Sequence, residues 1–194
     1  MARREYAAGS LTLPDATRIT GEIEQHARAA HADARLAEAD KMQDLARSLQ
    51  PDAEFGVGFL SSMKKPCVRD RWFGVQSRRG WHVRAARGER ESFQVVVNQP
   101  ARDVQDAHVE IGALQASGGP VIPDDAVTVR TVGSFLLGRP GYYQATYEGW
   151  FADVLLPHTP VDIPAGDFQA FWISVQVPPD QPAGVYRGSV TVSA

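Results

Sequence analysis

The chain has 194 residues, of which 43% are hydrophobic, and a formal net charge of −3. This apolar fraction is sufficient for the core of one good-sized domain with an extension. The single cysteine, Cys67, excludes an intrachain disulfide, and no apolar run is long enough to span a bilayer. We therefore predict a soluble protein with no membrane partner. The sequence as given shows no signal peptide, which leaves two compartments open: the cytoplasm, or secretion through a signal that this sequence lacks.

A long amphipathic helix is predicted over residues 15–50, after a flexible segment at residues 1–14. Between Ala16 and Leu49, apolar residues recur mostly at steps of three and four, which is the period of a helix with one buried face. Pro51 ends the pattern, because the residue before a proline is disfavoured in the α region. The apolar stripe is mostly alanine, so we expect it to pack closely against a partner surface.

Seven strand-like segments separated by Pro and Gly turns follow within residues 54–194. No helical pattern interrupts them, which favours an antiparallel β-sandwich of the immunoglobulin-like or jelly-roll type. The chain is therefore predicted to be mainly β, with one long N-terminal α-helix before the sandwich domain. The predicted strands cover residues 54–60, 81–85, 92–97, 107–111, 126–137, 168–177 and 185–193.

Alternation with a period of two predicts which strand residues face the core. In the last strand, Val190 and Val192 point one way, whereas Thr191 and Ser193 point the other. Trp172 falls on the face opposite the core, where we expect it to cover a neighbouring element such as the long helix. The predicted core residues of the earlier strands are Phe93, Val95, Val97, Val109, Ile111, Val127, Val129, Phe171, Ile173, Val175 and Val177.

Residues 64–90 form a basic block, with nine basic and two acidic residues. Clustered basic residues are one mark of a nucleic-acid interface. The sequence pI is about 5.9, however, and the block lacks the basic and aromatic motifs of nucleic-acid-binding proteins. We therefore favour ion pairs between this block and acidic neighbours in the same protein, and we expect no nucleic-acid partner.

The connection between residues 137 and 168 is predicted to be a long loop, and loops of this length usually have a role of their own. Tyr and Trp rings can stack on the faces of sugars, so this loop is a candidate carbohydrate surface. The rings could also fill a contact with a further domain or cap the sandwich, which we favour. Asp153 would then hydrogen-bond within its own loop. The clustered aromatic residues are Tyr142, Tyr143, Tyr147, Trp150 and Phe151.

Several short motifs follow one another in a specific order from residue 54 onwards. They are ARGERESFQVVV at 86–97, VG at 132–133, GWFADVLLP at 149–157, VDIPAG at 161–166, QAFWISVQVP at 169–178 and PAGVYRG at 182–188. In this order they resemble the N-terminal region of glycoside hydrolase family 123-like proteins. The segment FGVGFLSSM at 55–63 also resembles the stretch that precedes this region in bacterial members.

The resemblance implies a β-sandwich that leads into a catalytic barrel of the (β/α)8 type in a longer protein. In characterised relatives, the barrel removes β-linked N-acetylgalactosamine by substrate-assisted chemistry, in which an adjacent Asp-Glu pair takes part. This chain contains no Asp-Glu dipeptide. Its adjacent acidic pair, Asp124 and Asp125, follows Pro123 in a predicted turn, where Asp is common. The implied partner is the C-terminal barrel of the parent chain, with glycans as a second candidate.

No residue is predicted to be catalytic, and we expect neither a metal site nor a cofactor. The histidines lack metal-ligand spacing, and Cys67 has no adjacent base. Three functions remain open: non-catalytic support of a barrel, carbohydrate binding, and a structural or partner-binding role of the helix and the basic block. We favour the first, because the family motifs come without a catalytic set. The candidate carbohydrate-binding or interdomain residues are Tyr142, Tyr143, Tyr147, Trp150 and Asp153.

Overall fold

The computed structural model describes most of the predicted sandwich and part of the N-terminal region. The chain divides into two compact units, Met1–Ala37 and Glu38–Ala194, and every described strand lies in the second unit. The residues that the structure describes are 18–19, 21–23, 25–26, 37, 40–48, 51–66, 79–99, 101–137 and 149–194.

The described residues of the predicted helical region are helical in both units. In the first unit, Arg18 donates a hydrogen bond to Glu22 at 2.9 Å, an i, i+4 ion pair of the kind that supports a helix. In the second unit, residues 40–48 form a helix. The remaining positions of the predicted 15–50 helix lie outside the described residues. One unbroken helix over this range therefore stays a prediction.

Eleven strands and a short 3-10 turn at Asp124–Ala126 form the described part of the sheet region. Valine, isoleucine and aromatic residues are frequent in the long strands, where branched and flat side chains pack well on a pleated surface. The strands are β1 (Gly56–Ser61), β2 (Arg90–Asn98), β3 (Val104–Ile111), β4 (Leu114–Ala116), β5 (Val121–Ile122), β6 (Val127–Leu137), β7 (Gly149–Pro157), β8 (Val161–Ile163), β9 (Phe168–Gln176), β10 (Tyr186–Arg187) and β11 (Val190–Ser193).

The described strands form three antiparallel sheets, which confirms the predicted mainly β, antiparallel class. The large sheet has the strand order β1-β2-β9-β6-β7, and the small sheets have the orders β11-β3-β8 and β10-β4-β5. In the large sheet, Val95 of β2 lies opposite Phe59 of β1 on one side and Phe171 of β9 on the other. β7 pairs with β6 and forms one edge of this sheet.

The main hydrophobic core lies between the large sheet and the β11-β3-β8 sheet, an arrangement in two layers that is typical of a sandwich. Removing each large apolar side chain from water contributes roughly 1.5–3 kcal/mol. Val175 and Val177, which were also predicted to be buried, are half-buried. The predicted core residues that belong to this cluster are Phe93, Val95, Val97, Val109, Ile111, Val127, Val129, Phe171 and Ile173.

The opposite face of the large sheet is also covered, which simple alternation did not predict. Val96 of β2 is fully buried and forms a second cluster with Leu60 of β1 and Ala170 of β9. Met42 of the 40–48 helix is fully buried in the same cluster. Trp172 packs against this cluster, on the face where the alternation placed it. The helix therefore covers the second face, and β2 is buried on both of its faces.

The 40–48 helix lies very close to the sheet at Gly56 of β1. A Cβ atom added to Gly56 would lie 2.7 Å from the Cβ atom of Met42 and 2.9 Å from the backbone nitrogen of Gln43. Both distances are shorter than a van der Waals contact. Glycine is therefore required at this position for the helix to lie directly on the strand.

A buried amide holds the segment after β1 against the same face. Gln94 of β2 is 1% exposed, and its Nε2 atom donates to the carbonyl oxygens of Ser61 at 2.9 Å and Lys64 at 2.8 Å. A buried polar side chain costs free energy unless it is hydrogen-bonded, so this pair of bonds accounts for glutamine inside an apolar strand.

The predicted strand at residues 81–85 is wrong. Trp81 is half-buried and stacks on the rings of Phe59 and Phe93, with centroid distances of 6.4 and 6.5 Å, whereas residues 82–86 are exposed. The segment alternates like a strand, but only its tryptophan contacts the core, and the described residues provide no strand that pairs with it.

The predictions for the C-terminal half of the chain need two corrections. The predicted last strand is interrupted at residues 188–189, and β10 and β11 pair with different sheets. Gly188 lies so close to the neighbouring backbone that an added Cβ atom would be 2.8 Å from the carbonyl oxygen of Gly112. In addition, the predicted loop between residues 137 and 168 contains β7 and β8. Apolar residues in β7 pair along β6 and extend the large sheet.

Candidate functional site

The candidate residues lie on or beside the β6–β7 hairpin. Trp150 is half-buried in β7, opposite Leu136 of β6, and Asp153 lies in the middle of the same strand. Both residues therefore belong to a sheet edge and not to a loop. The other three candidates, Tyr142, Tyr143 and Tyr147, lie outside the described residues, so their role stays a prediction.

Asp153 occupies a bulge in β7. Gly133 lies opposite Val154, but the next β6 residue, Ser134, lies opposite Ala152, so Asp153 is left between two paired positions. An extra residue of this kind bends a strand and redirects its side chain. The bulge explains why a charged side chain occurs between apolar residues without disturbing the pairing on either side.

The carboxylate of Asp153 accepts a hydrogen bond from Lys65, whose ammonium group also lies 4.5 Å from the centre of the Phe151 ring. Asp153 thus bonds to a distant segment, and the predicted bond within its own loop is wrong. The side chains of Lys65 and Asp153 are 48% and 56% exposed. An ion pair with this exposure contributes less than about 1 kcal/mol, so its main effect is to fix the position of the segment around Lys65.

An exposed apolar surface runs along the hairpin. We name Phe135, Val154 and Leu156 the β7 strip; their exposed fractions are 43%, 43% and 44%. A Cβ atom added to Gly133 would lie 2.6 Å from Val154 and 3.0 Å from Leu156, so both side chains extend across this glycine. Phe135 follows two residues after Gly133 and therefore lies on the same face of the strand.

The β7 strip is exposed because the sheet β11-β3-β8 does not reach it. The main core contains residues of β1, β2, β6 and β9, whereas no described residue of β7 belongs to it. The face of the large sheet that packs against the main core is therefore uncovered along β7. On the reverse face of the hairpin, Leu136 and Leu155 are also exposed, at 66% and 39%. Contiguous exposed apolar side chains are typical of a surface that contacts another molecule or domain.

Two histidines meet at the seam between the sheets. They are fifty residues apart in the sequence, so no local pattern predicts this contact. The rings of His108 and His158 stack with a centroid distance of 4.5 Å and an interplanar angle of 22°. His158 accepts a hydrogen bond at Nε2 from the backbone N–H of Val109 at 3.3 Å, and its Nδ1 atom lies 3.3 Å from the Thr131 hydroxyl. Burial lowers the pKa of His158, and the neighbouring His108 ring lowers it further.

The described residues contain no arrangement typical of hydrolytic catalysis. Asp124 and Asp125 are exposed in the 3-10 turn. Glu89 accepts a hydrogen bond from the backbone N–H of Ala86 at 2.6 Å, which is a local turn contact. Within the same described ranges, no group of three or more His, Cys, Asp or Glu side chains could hold a metal ion. None of the helices described is both long and apolar enough to cross a membrane.

Comparisons with known proteins identify the family. The profile for the glycoside hydrolase 123 N-terminal domain matches residues 71–194. Among solved structures, the chain is similar to a family 123 glycoside hydrolase from Clostridium perfringens, with 17% sequence identity and a TM-score of 0.48. That similarity covers 56% of this chain and 19% of the enzyme. A search of curated proteins found no match. Because the profile covers more than half of the sequence, the chain belongs to the glycoside hydrolase 123 N-terminal domain family.

Proposed function

We propose that this domain is the non-catalytic N-terminal β-sandwich of a longer protein of the β-N-acetylgalactosaminidase type, and that it supports a C-terminal (β/α)8 barrel. The observation that carries the proposal is the family match over residues 71–194. The lack of an adjacent Asp-Glu pair anywhere in the sequence supports a catalytic centre outside this domain. The domain would then position and stabilise the barrel, and it would supply no reacting groups.

The β7 strip is the surface that we assign to the contact with the barrel. Its three side chains are about two-fifths exposed although they lie on the face of the sheet that is buried elsewhere. Covering them removes apolar area from water, which contributes roughly 25 cal/mol for each Å² buried. The ion pair between Lys65 and Asp153 of β7 lies beside the strip, where it would form a polar margin of the contact, whereas Trp150 lies with Leu136 on the reverse face.

The first experiment tests whether catalysis takes place outside this domain. The purified 194-residue chain is incubated with an aryl β-N-acetylgalactosaminide, and we expect no release of the aryl group. In parallel, the coding sequence beyond residue 194 is read, and we expect a barrel with an Asp-Glu pair after a strand. Turnover by the isolated chain, or the absence of any barrel downstream, would refute the proposal.

The second experiment tests the contact surface. The downstream barrel is produced separately and its affinity for this chain is measured by calorimetry, for wild type, Leu156→Asp and Val121→Asp. Val121 is 43% exposed, like the residues of the strip, but lies on β5 in another sheet, so it is the matched control. We expect Leu156→Asp to weaken binding at least tenfold and Val121→Asp to leave it unchanged. Equal affinities for the two variants would assign the contact to another surface.

Carbohydrate binding is the second candidate, because Trp150 and Asp153 place an aromatic ring and a carboxylate on one strand. Aromatic rings bind the apolar faces of sugars, and carboxylates accept hydrogen bonds from sugar hydroxyls. Titration against a glycan panel that includes N-acetylgalactosaminides should then show weak binding. Trp150→Ala should abolish it, and Trp150→Phe, which keeps an aromatic face, should retain part of it. The absence of binding across the panel would dismiss this function.

A further inference from the structure

We propose that the stacked rings of His108 and His158 form a pH-sensitive latch between the two sheets of the sandwich. His158 lies in the connection between β7 and β8, and it contacts both layers. Towards the small sheet, it bonds the backbone of Val109 and stacks on His108, both on β3. Towards the large sheet, it contacts the Thr131 hydroxyl on β6 and the Phe171 ring on β9, the two rings being nearly perpendicular with a centroid distance of 5.4 Å.

The hydrogen bonds of the latch require a neutral His158 ring. The Nε2 atom accepts the N–H of Val109, so the ring proton resides on Nδ1, where it faces the Thr131 hydroxyl. When the ring binds a second proton, Nε2 becomes a donor and meets another donor, the Val109 N–H, at 3.3 Å. The bond across the seam is then lost, and a positive charge is placed beside buried Phe171.

The groups that surround the pair reinforce this effect. His108 lies face to face with His158, so protonation of both rings brings two positive charges to within 4.5 Å. The carboxylate of Glu110 lies 3.5 Å from Nε2 of His108. On β6, Arg130 precedes Thr131 and lies on the opposite face of that strand. The Nδ1 atom of His108 is buried and has no hydrogen-bond partner among the described residues.

The lowered pKa of His158 determines the direction of the pH effect. The unfolded chain, in which histidine titrates near 6.5, binds a proton at a higher pH than the folded chain does. The stability contributed by neutral His158 is therefore fully present above about pH 6.5 and is lost as the pH falls towards the lowered pKa. Each unit of lowering corresponds to about a tenfold change in the folding equilibrium constant. Acidification should loosen the β7–β8 connection from β3.

The test follows the histidine rings and the seam directly in the whole 194-residue chain. In an NMR titration between pH 8 and pH 4.5, we expect the His158 ring to titrate below 6.5, and the Val109 amide to shift with the same midpoint. A His158 midpoint at or above 6.5, or a Val109 amide that does not follow it, would overturn the proposal. This measurement needs only the wild-type chain, so it tests the proposal even if a variant fails to fold.

Unfolding in urea at pH 7.5 and pH 5.5 supplies the second readout, with wild type, His158→Gln and His82→Gln. Glutamine can still accept from Val109 and donate to Thr131 but does not titrate, whereas His82 is exposed and serves as the control. On acidification from pH 7.5 to pH 5.5, the folding equilibrium constant should fall further in wild type and His82→Gln than in His158→Gln, by up to about tenfold because pH 5.5 lies about one unit below 6.5. The same pH dependence in all three proteins would count against the latch.

Discussion

Replacing Gly56 with alanine should separate the 40–48 helix from the large sheet. The added Cβ atom would meet the Cβ atom of Met42 at 2.7 Å, the backbone nitrogen of Gln43 at 2.9 Å and the side-chain oxygen of Asn98 at 2.6 Å. Carbon atoms in contact prefer separations of about 3.5–4.0 Å, so the helix must retreat by roughly 1 Å. Two of the three opposing atoms belong to the helix backbone or are directly attached to it, so a side-chain rotation cannot relieve the clash.

The cost of this retreat can be estimated. Overpacking a buried site lowers the free energy of unfolding by about 1–3 kcal/mol. Replacing glycine with alanine, at a backbone conformation that alanine accepts, raises it by about 0.4–1 kcal/mol, because the unfolded chain then has less conformational entropy. Gly56 is not among the described glycines with positive φ, so this increase applies here. For a chain of this size, a net loss of about 1–2 kcal/mol lowers the melting temperature by some 2–8 °C.

Thermal unfolding followed by circular dichroism measures this shift, with Gly80→Ala as the control. A Cβ atom added at Gly80 meets nothing within 4 Å, so this variant should melt at or slightly above the wild-type temperature. If Gly56→Ala melts as high as Gly80→Ala, the close packing of the helix on β1 is refuted. A lowered melting temperature for both variants would also contradict the reasoning, because only Gly56 is crowded.

Three further substitutions rank other contacts of the large sheet, each measured by urea unfolding. Met42→Ala should cost about 2–5 kcal/mol, because it leaves a cavity beneath the helix. Gln94→Ala should cost about 1–3 kcal/mol, because the carbonyl groups of Ser61 and Lys64 lose their donor. Lys65→Ala should cost less than about 1 kcal/mol, and less still at high salt, because its ion pair is exposed. A greater cost for Lys65→Ala than for Gln94→Ala would contradict this order.

The main core could be predicted from the sequence because alternation is a local property. Residues such as Val95 and Phe171 repeat every second position, and the strand pattern places them on the inner face without knowledge of their neighbours. The burial of Val96 could not be predicted in this way, because it depends on the 40–48 helix, which contacts the sheet from a distant part of the sequence. The strand expected at 81–85 fails for the converse reason: alternation does not ensure a pairing partner.

The candidate site was harder to predict than the core. Trp150 and Asp153 stand out in the sequence, but the apolar residues of β7 are consecutive and do not alternate, so the pattern predicts no strand there. Consecutive apolar residues can form a strand at a sheet edge, where side chains on both faces are exposed. In this chain, the strand is identified only by its pairing with β6. The contact between His108 and His158 depends on the seam between two sheets, and no short-range spacing in the sequence indicates it.

Elements that precede residue 71 cover β2. The part of the chain that the family profile matches is therefore smaller than the part that is needed for folding. The family match begins at residue 71, whereas β1 and Met42 precede it. A chain begun at residue 71 would lose the strand that pairs with one side of β2 and the helix that shields Val96. It would present an unpaired, uncharged valine run, Val95–Val97, at a sheet edge, which is the usual template for edge-to-edge aggregation. For laboratory production of this domain, the N-terminal limit should therefore lie before residue 40 and not at the start of the family match.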